Sequence, residues 1–322
     1  MWRYIVRRLM WVVVVVLIIT AFTYVIFFVM PPTDPAVQFA GRSPTPELIA
    51  EVRRQFGLDK PIWQQYGLFL KNTFTGDQYG WPGLGFSFVT RSSVKDQLFD
   101  RIWVTISLAL GAALVWLCIG IPIGIVSAIK RRSLIDRASM LAALFFVSAP
   151  VFWLGLVALW LFWYKLHISP GTGYVPIGQS FGGWLSHMIM PWVVLALLFA
   201  AFYARMVRGN LIETMGQDYI RTARIKGLPE WKVILKHGVR ASLTPVVTLI
   251  GLDLGALLGG AVITETVFNL QGIGQWAAAS VFQGDVPVVL AVTVVVTLAV
   301  TLMNLLVDIV YAYLDPKVTY HK

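Results

Sequence analysis

Long apolar runs alternate with short polar, mostly basic stretches along this chain. A membrane-crossing helix needs about 20 apolar residues. By that measure the runs near 9–30, 102–128, 138–164, 187–208, 244–267 and 287–314 predict six spans. Pro150 and Pro191 interrupt the third and fourth runs. A membrane helix tolerates proline where neighbours satisfy the freed carbonyls. Between the first two runs, Thr45 followed by Leu48, Ile49, Val52 and Phe56 at helical spacing predicts a capped helix over 44–57. Gly57-Leu58-Asp59-Lys60-Pro61 ends it, and Ile62 to Phe74 reads as a second short helix. Gly76 to Gly85 is rich in glycine and aromatic residues and reads as loop. Val94 to Arg101 is amphipathic and leads into the second span.

Composition supports the membrane reading. Of 322 residues, 57% are hydrophobic and 13% charged, and mean hydropathy is +0.73. A soluble domain carries about a quarter charged residues. The net charge of +10 sits beside the apolar runs, which fits membrane topology and not nucleic-acid binding. Arg3, Arg7 and Arg8 precede the first span, and Lys130, Arg131, Arg132 and Arg137 lie between the second and third. Arg205, Arg208, Arg221, Arg224, Lys226, Lys232, Lys236 and Arg240 lie between the fourth and fifth, and Lys317 and Lys322 follow the last. All fall on one side of a six-span topology, which makes that side cytoplasmic and places both termini there. The first run is long enough to span and has no small-residue cleavage site after it, so it reads as a retained anchor. The lone Cys118 sits in an apolar run and has no intramolecular disulfide partner. The predicted class is an all-α polytopic membrane protein. Residues 1–30 are an anchor and first helix, 31–101 an extracytoplasmic cap, and 102–322 a five-helix core with a cytoplasmic loop at 209–244.

Catalytic signatures are lacking. The sequence has no phosphate-cradling G-x-x-x-x-G-K-[ST] loop, no H-E-x-x-H helix and no paired-cysteine metal site. His167, His187, His237 and His321 are scattered. Ser186 and His187 are adjacent, and adjacent helical residues do not face each other. The chain is therefore expected to have no catalytic, cofactor or metal site of its own. Ionisable residues inside spans are functional candidates by default. Asp253 lies within the fifth span, Glu265 near its outer end, and Asp308 in the sixth with Asn304 one turn before it. On one continuous helix, Asp253 and Glu265 would stand about 120° apart, which argues against a simple proton relay. Gly251, Gly255 and Gly259 recur every fourth residue, a stripe that suits either close helix packing or a moving surface around a pathway.

The loop 209–244 carries the sharpest signal. Asp218 offers an N-cap, Tyr219 to Lys226 make about two turns, Gly227 permits a left-handed turn, and Pro229 blocks continuation. A second helix follows over about Trp231 to Ala241. A short helix bounded at both ends, with Arg221, Arg224 and Lys226 exposed, suits insertion into a groove of a cytoplasmic protein. A basic loop obeying the positive-inside rule is the plainer alternative.

At these residues the chain resembles the membrane subunits of ABC importers, whose loop pattern is E-A-A-x-x-x-G. Arg221-Thr222-Ala223-Arg224-Ile225-Lys226-Gly227 fits the R-T-A-x-x-K-G version of the peptide importers. Leu243-Thr244-Pro245, Gly57 to Pro61 with Gln65-Tyr66, and Gly120-Ile121-Pro122-Ile123-Gly124 continue the likeness. So do Glu265-Thr266-Val267-Phe268, Gly272-Ile273-Gly274, Asn304 to Asp308 and Asp315-Pro316-Lys317. Gln271 departs from the usual proline. The amino-terminal residues and long first outer loop resemble the B-type subunit of dipeptide and oligopeptide permeases. The resemblance implies a type I importer permease fold in a prokaryotic inner or plasma membrane. It implies a second, homologous permease subunit, two cytoplasmic ATPases or one fused ATPase that bind ATP and Mg, and an extracytoplasmic binding protein that delivers peptide. It maps a coupling helix onto Asp218, Tyr219, Arg221, Thr222, Ala223, Arg224, Lys226 and Gly227. Asp253, Gly255, Gly259, Glu265, Asn304 and Asp308 are candidates for the pathway or its gate. An ion-coupled secondary transporter, or an importer of nickel complexes or glutathione, is the alternative.

Overall fold

The computed structural model describes residues 2–30, 34, 36–37 and 45–314. Pro44, the motif Asp315-Pro316-Lys317, Lys322 and His321 lie outside them, as do the side chains of Arg3, Phe56 and Asp308. Four helices are long and apolar enough to cross a membrane: Val6–Val29, Val94–Ile129, Phe181–Met215 and Val286–Val307. Two bent pairs raise the number to as many as six. Large side chains such as Phe22, Leu114 and Leu141 stand on exposed faces, as lipid-facing surface requires.

The two prolines behave differently. Pro191 and Pro122 sit inside unbroken helices, Phe181–Met215 and Val94–Ile129. At Pro150 the chain breaks, and Leu134–Ser148 meets Val151–Lys165 at 102°. Ala149 and Pro150 are both extended there (ψ 128° and 132°), the conformation a following proline imposes on its neighbour. The expected continuous span over 138–164 is thus two helices. The expected span over 244–267 is also divided. Thr244–Leu258 ends before Gly260 at φ +104°, and Val262–Val267 begins a new helix.

The described residues fall into two compact units. One lies within Met1–Thr105, Leu258–Val262 and Gln271–Leu305. Its first helix, Trp2–Tyr24, is fastened to helix Ile62–Thr75, because Tyr24 Oη donates to Gln65 Oε1 at 2.8 Å and Thr20 pairs with Tyr66 at 3.0 Å. Gln65 Nε2 in turn donates to the carbonyls of Leu58 and Lys60, at 3.2 and 2.7 Å. That ties the Gly57–Pro61 turn to Gln65-Tyr66 and gives a physical reason for the two motifs to occur together. Thr45 caps helix Pro46–Phe56 by accepting from Leu48 N–H, and Gly57 closes it at φ +60°. Buried Val94, Leu98, Ile273, Trp276 and Val288 form the core, with the Arg101 guanidinium 4.9 Å from the Trp276 ring centre.

The other unit lies within Ile106–Leu257, Ile263–Leu270 and Leu306–Lys322. Helices Val94–Ile129 and Phe181–Met215 approach closely where Gly120 and Gly124 lie. An added Cβ would stand 2.8 Å from Ala200 O and 2.7 Å from Ala204 O. Small residues of this kind let membrane helices meet backbone to backbone. Gly251 is likewise closed, since a Cβ there would overlap Val307 at 1.6 Å. At this glycine the stripe serves packing.

Candidate functional site

Helix Phe181–Met215 ends in a turn at Gly216 and Gln217, and the short helix Asp218–Ile225 follows. Its N-cap is Gln217, at ψ 151°, and Asp218 is the first helical residue. Asp218 therefore does not cap, in contrast to the sequence expectation. Its carboxylate instead sits in the first turn, where it favours the helix dipole. Thr222 Oγ1 donates to Asp218 O at 3.0 Å. Gly227 stands at φ +75° as expected, and its N–H reaches Arg224 O at 2.9 Å. Pro229 then starts Glu230–Ser242, whose middle, Val233–Val239, is a π-helical stretch.

The short helix is amphipathic, and its apolar side faces its own chain. Ile220 and Ala223 are buried against Val233 and Met215. Gly238 admits this packing, since a Cβ there would lie 2.8 Å from Met215 Sδ. Arg224 donates from Nε and Nη2 to the two carboxylate oxygens of Glu230, at 3.1 and 2.6 Å. This fork-to-fork pair staples the hairpin, so Arg224 is exposed and already engaged. Arg221 and Lys226 are exposed, and Arg221 approaches Asp218 no closer than 3.9 Å.

The free face carries apolar groups that reading the basic residues alone overlooks. Ile225 is 86% exposed and Trp231 61%, with Tyr219 about half exposed. Ile225 follows buried Ile220 by five positions, about 140° around a helix. That spacing is legible in the sequence and marks Ile225 as outward-facing.

The pathway candidates lie on three helices and in the turn between two of them. Asp253 is half-buried and accepts a hydrogen bond from Tyr203 Oη at 2.6 Å. Tyr203 is fully buried and stacks with Trp116. Gly255 is buried, Gly259 half-buried, and Glu265 fully buried within Val262–Val267. Because the chain turns at Gly260, Asp253 and Glu265 are not on one helix, and the 120° separation does not describe them. Asn304 keeps Oδ1 buried without a hydrogen-bond partner among the described residues. Ser186 and His187 both bond the Gly183 carbonyl, at 2.9 and 2.8 Å, and Ser186 Oγ lies 3.5 Å from His187 Nδ1, at the outer limit of a hydrogen bond. Gln271 has φ +60°, which a proline ring cannot adopt, and its N–H donates to Gln275 Oε1 at 2.8 Å. The turn here differs from one built on the family's proline.

A charged cluster went unrecognised in the sequence. Asp136 is buried and bonded at both oxygens by Arg208, by Ser127 Oγ and by Arg132 N–H. Arg208 is seven residues upstream of Met215 on the helix that leads into Asp218–Ile225.

Comparison with known proteins gives a consistent result. The family described as binding-protein-dependent transport system inner membrane component matches residues 120–320, and the family for the N-terminal part of such components matches 1–109. The chain is 36% identical over 346 residues to the dipeptide transport system permease protein DppB of Escherichia coli K12, covering all of both chains. It is 35% identical over 340 residues to the protein of the same name from Alkalihalophilus pseudofirmus, covering 99% of this chain and all of that one. It is 38% identical over 316 residues to a putative peptide transport system permease protein of Brucella abortus, covering 98% of each. Among solved structures, a chain of the MetNI methionine ABC transporter in an inward-facing conformation matches with a TM-score of 0.55 at 20% identity, over 69% of this chain and 97% of that one. That likeness is one of fold. With family matches covering both parts of the sequence and relatives aligned from end to end, this chain belongs to the binding-protein-dependent transport system inner membrane components.

Proposed function

We propose that this chain is a permease subunit of an ATP-driven importer of short peptides, and that Asp218–Gly227 is the element its ATPase holds. The relatives named for dipeptide and peptide transport support the cargo class. The single observation that carries the coupling role is the two-sided hairpin. Its buried side locks Ile220 and Ala223 onto Val233 and Met215, so the helix moves as one body with the end of Phe181–Met215. Its free side offers Ile225, Tyr219 and Trp231 among basic residues, a surface suited to a groove in a soluble partner.

In this reading the hairpin side is cytoplasmic and both termini lie there, following the lysine and arginine distribution. A second permease subunit completes the pathway, and two ATPases, separate or fused, bind ATP and Mg. A binding protein docks on the opposite face and delivers peptide. ATP binding draws the hairpins together and hydrolysis releases them. Transport is then a two-state equilibrium of the permease pair, biased by the differential affinity of the ATPases for the two states.

Ile225→Asp tests the assignment. It adds charge to the exposed face and leaves the buried side of the hairpin untouched. The ATPases should no longer copurify with the permease, and ATP-driven peptide uptake into proteoliposomes should fall to background. Normal uptake by this variant would refute the coupling role. Uptake that survives ATPase inactivation and collapses with the proton gradient would favour a secondary transporter.

A further inference from the structure

We propose that a cavity of about 400 Å³ beside helix Ile62–Thr75 is a binding site for a short zwitterionic peptide, a station that cargo occupies before it enters the membrane pathway. The role as a station rests on the importer reading above. Small-molecule sites occupy about 300–1,000 Å³, so the volume suits a short peptide.

The lining of the cavity has an apolar part and a polar part. Leu290 and Val294, one turn apart on the helix that begins at Val286, form the wall, with Phe69 near them. This wall takes an apolar side chain. Two of the polar lining groups are already occupied. Gln65 is held by Tyr24 and by the carbonyls of Leu58 and Lys60. Asp77 accepts from the N–H groups of Tyr79 and Gly85, each at 2.8 Å. The side-chain amides of Asn72 and Gln78 bond nothing else among the described residues. Each offers a donor and an acceptor, the complement of a peptide group.

Charge in the lining selects the ends of the ligand. Glu51 and Arg54 line the cavity and pair with each other across one helical turn, Arg54 largely in solvent and Glu51 about half so. Such a surface pair contributes little and opens readily. A zwitterion replaces it without leaving a charge unpaired, its carboxylate on Arg54 and its ammonium on Glu51. A singly charged ligand of either sign leaves one of the two without a partner. A central amide, an apolar side chain and opposite charges at the ends together describe a short peptide with free termini.

The test uses the assembled complex in nanodiscs with the binding protein omitted. A pool of dipeptides with apolar side chains is added, and binding is read by native mass spectrometry and calorimetry. At least one dipeptide should bind. Asn72→Leu and Arg54→Ala should each weaken it about tenfold, as expected for losing one hydrogen bond to a charged or buried polar group. Its N-acetylated, amidated form should weaken similarly. Gln78→Ala changes an exposed residue and guards against misfolding, and it should show the same direction. Absence of binding, or equal binding by wild type and all three variants, overturns the site. So does displacement of the dipeptide by glycerophosphoglycerol, which would mark a lipid-headgroup site. ATP-driven uptake with the binding protein is measured separately. Dipeptide binding without uptake in the wild type would leave the site standing and fell the importer reading. Normal uptake with unaltered binding in the variants would fell only the site.

Discussion

Arg208 grips Asp136 with both arms of its guanidinium, Nε to Oδ1 at 2.6 Å and Nη2 to Oδ2 at 2.9 Å. The Asp136 side chain is 5% exposed and that of Arg208 26%. Ser127, Arg132 and Asp136 bring the end of Val94–Ile129, the turn after it and the start of Leu134–Ser148 to the same point. Asp136 therefore gathers these three segments, and Arg208 ties them to Phe181–Met215. Removing one partner leaves the other charge without its hydrogen bonds and destabilises the fold. Asp136→Asn and Arg208→Gln should each lower the thermal midpoint of the purified protein by a clearly measurable amount. Arg208→Lys should recover only part, since an ammonium cannot make the fork. A midpoint unchanged in both variants would show that the pair holds nothing.

Gly120 and Gly124 should not tolerate even one added carbon. The Cβ of an alanine would press on the backbone of Ala200 and Ala204, which cannot rotate aside as a side chain can. Overpacking of this kind costs about 1–3 kcal/mol. Gly120→Ala and Gly124→Ala should reduce the yield of folded protein and its thermal midpoint. Gly182→Ala, on a glycine whose Cβ would meet open space, serves as the control and should leave both unchanged.

These two cases show what could be read from the sequence and what could not. Run length alone points to four of the six expected spans, which are unbroken helices, because the bilayer fixes helix length, but it does not show that the other two runs are broken. Pro150 and Pro191 are chemically identical, yet one breaks its helix and the other does not. The outcome depends on which neighbours receive the freed carbonyl, and that is tertiary information. Gly227 was legible because few residues but glycine adopt φ +75° readily. The role of Ala223 was only partly legible. The resemblance placed it in the coupling helix, and the structure adds that it packs against Val233 of its own hairpin. The Arg208–Asp136 pair joins positions 72 apart in the chain, and no local pattern reveals such a pairing. Arg208 in the sequence is simply one more positive charge on one side.

The hairpin turn gives a graded prediction. Gly227 has open space around its Cβ position, so substitution there acts through backbone conformation alone. Gly227→Ala forces a Cβ into the left-handed region at about 1–2 kcal/mol. Gly227→Asn should be milder, and Gly227→Pro the most severe, because the ring fixes φ near −65°. Uptake should fall in the order Asn, Ala, Pro while the permease still inserts and purifies. Ala223→Asp should also abolish uptake, by a different route, since it places an unpaired carboxylate against Ile220 and Val233. Normal transport-coupled ATP hydrolysis in both the Gly227→Pro and Ala223→Asp variants would rule out the hairpin as the coupling element.

Asp285 makes stability depend on pH. It lies just before helix Val286–Leu314 and accepts a hydrogen bond from the fully buried Ser87 hydroxyl. Burial pushes its carboxyl above the ordinary value, and hydrogen bonds from Ser87 and the Val288 N–H oppose that rise only in part. The folded state therefore holds this proton more tightly than the unfolded state does. Its contribution to stability is fully present below the unfolded value of about 4 and is lost as pH rises through the raised folded value. Wild-type protein should lose thermal stability as pH rises above about 4 more steeply than Asp285→Asn, which keeps an acceptor for Ser87 and carries no proton to lose. Many other carboxylates titrate in the same window, so the informative quantity is the difference between the two profiles. Parallel profiles would mean that Asp285 titrates alike in both states and that its burial exerts no net pull on the proton.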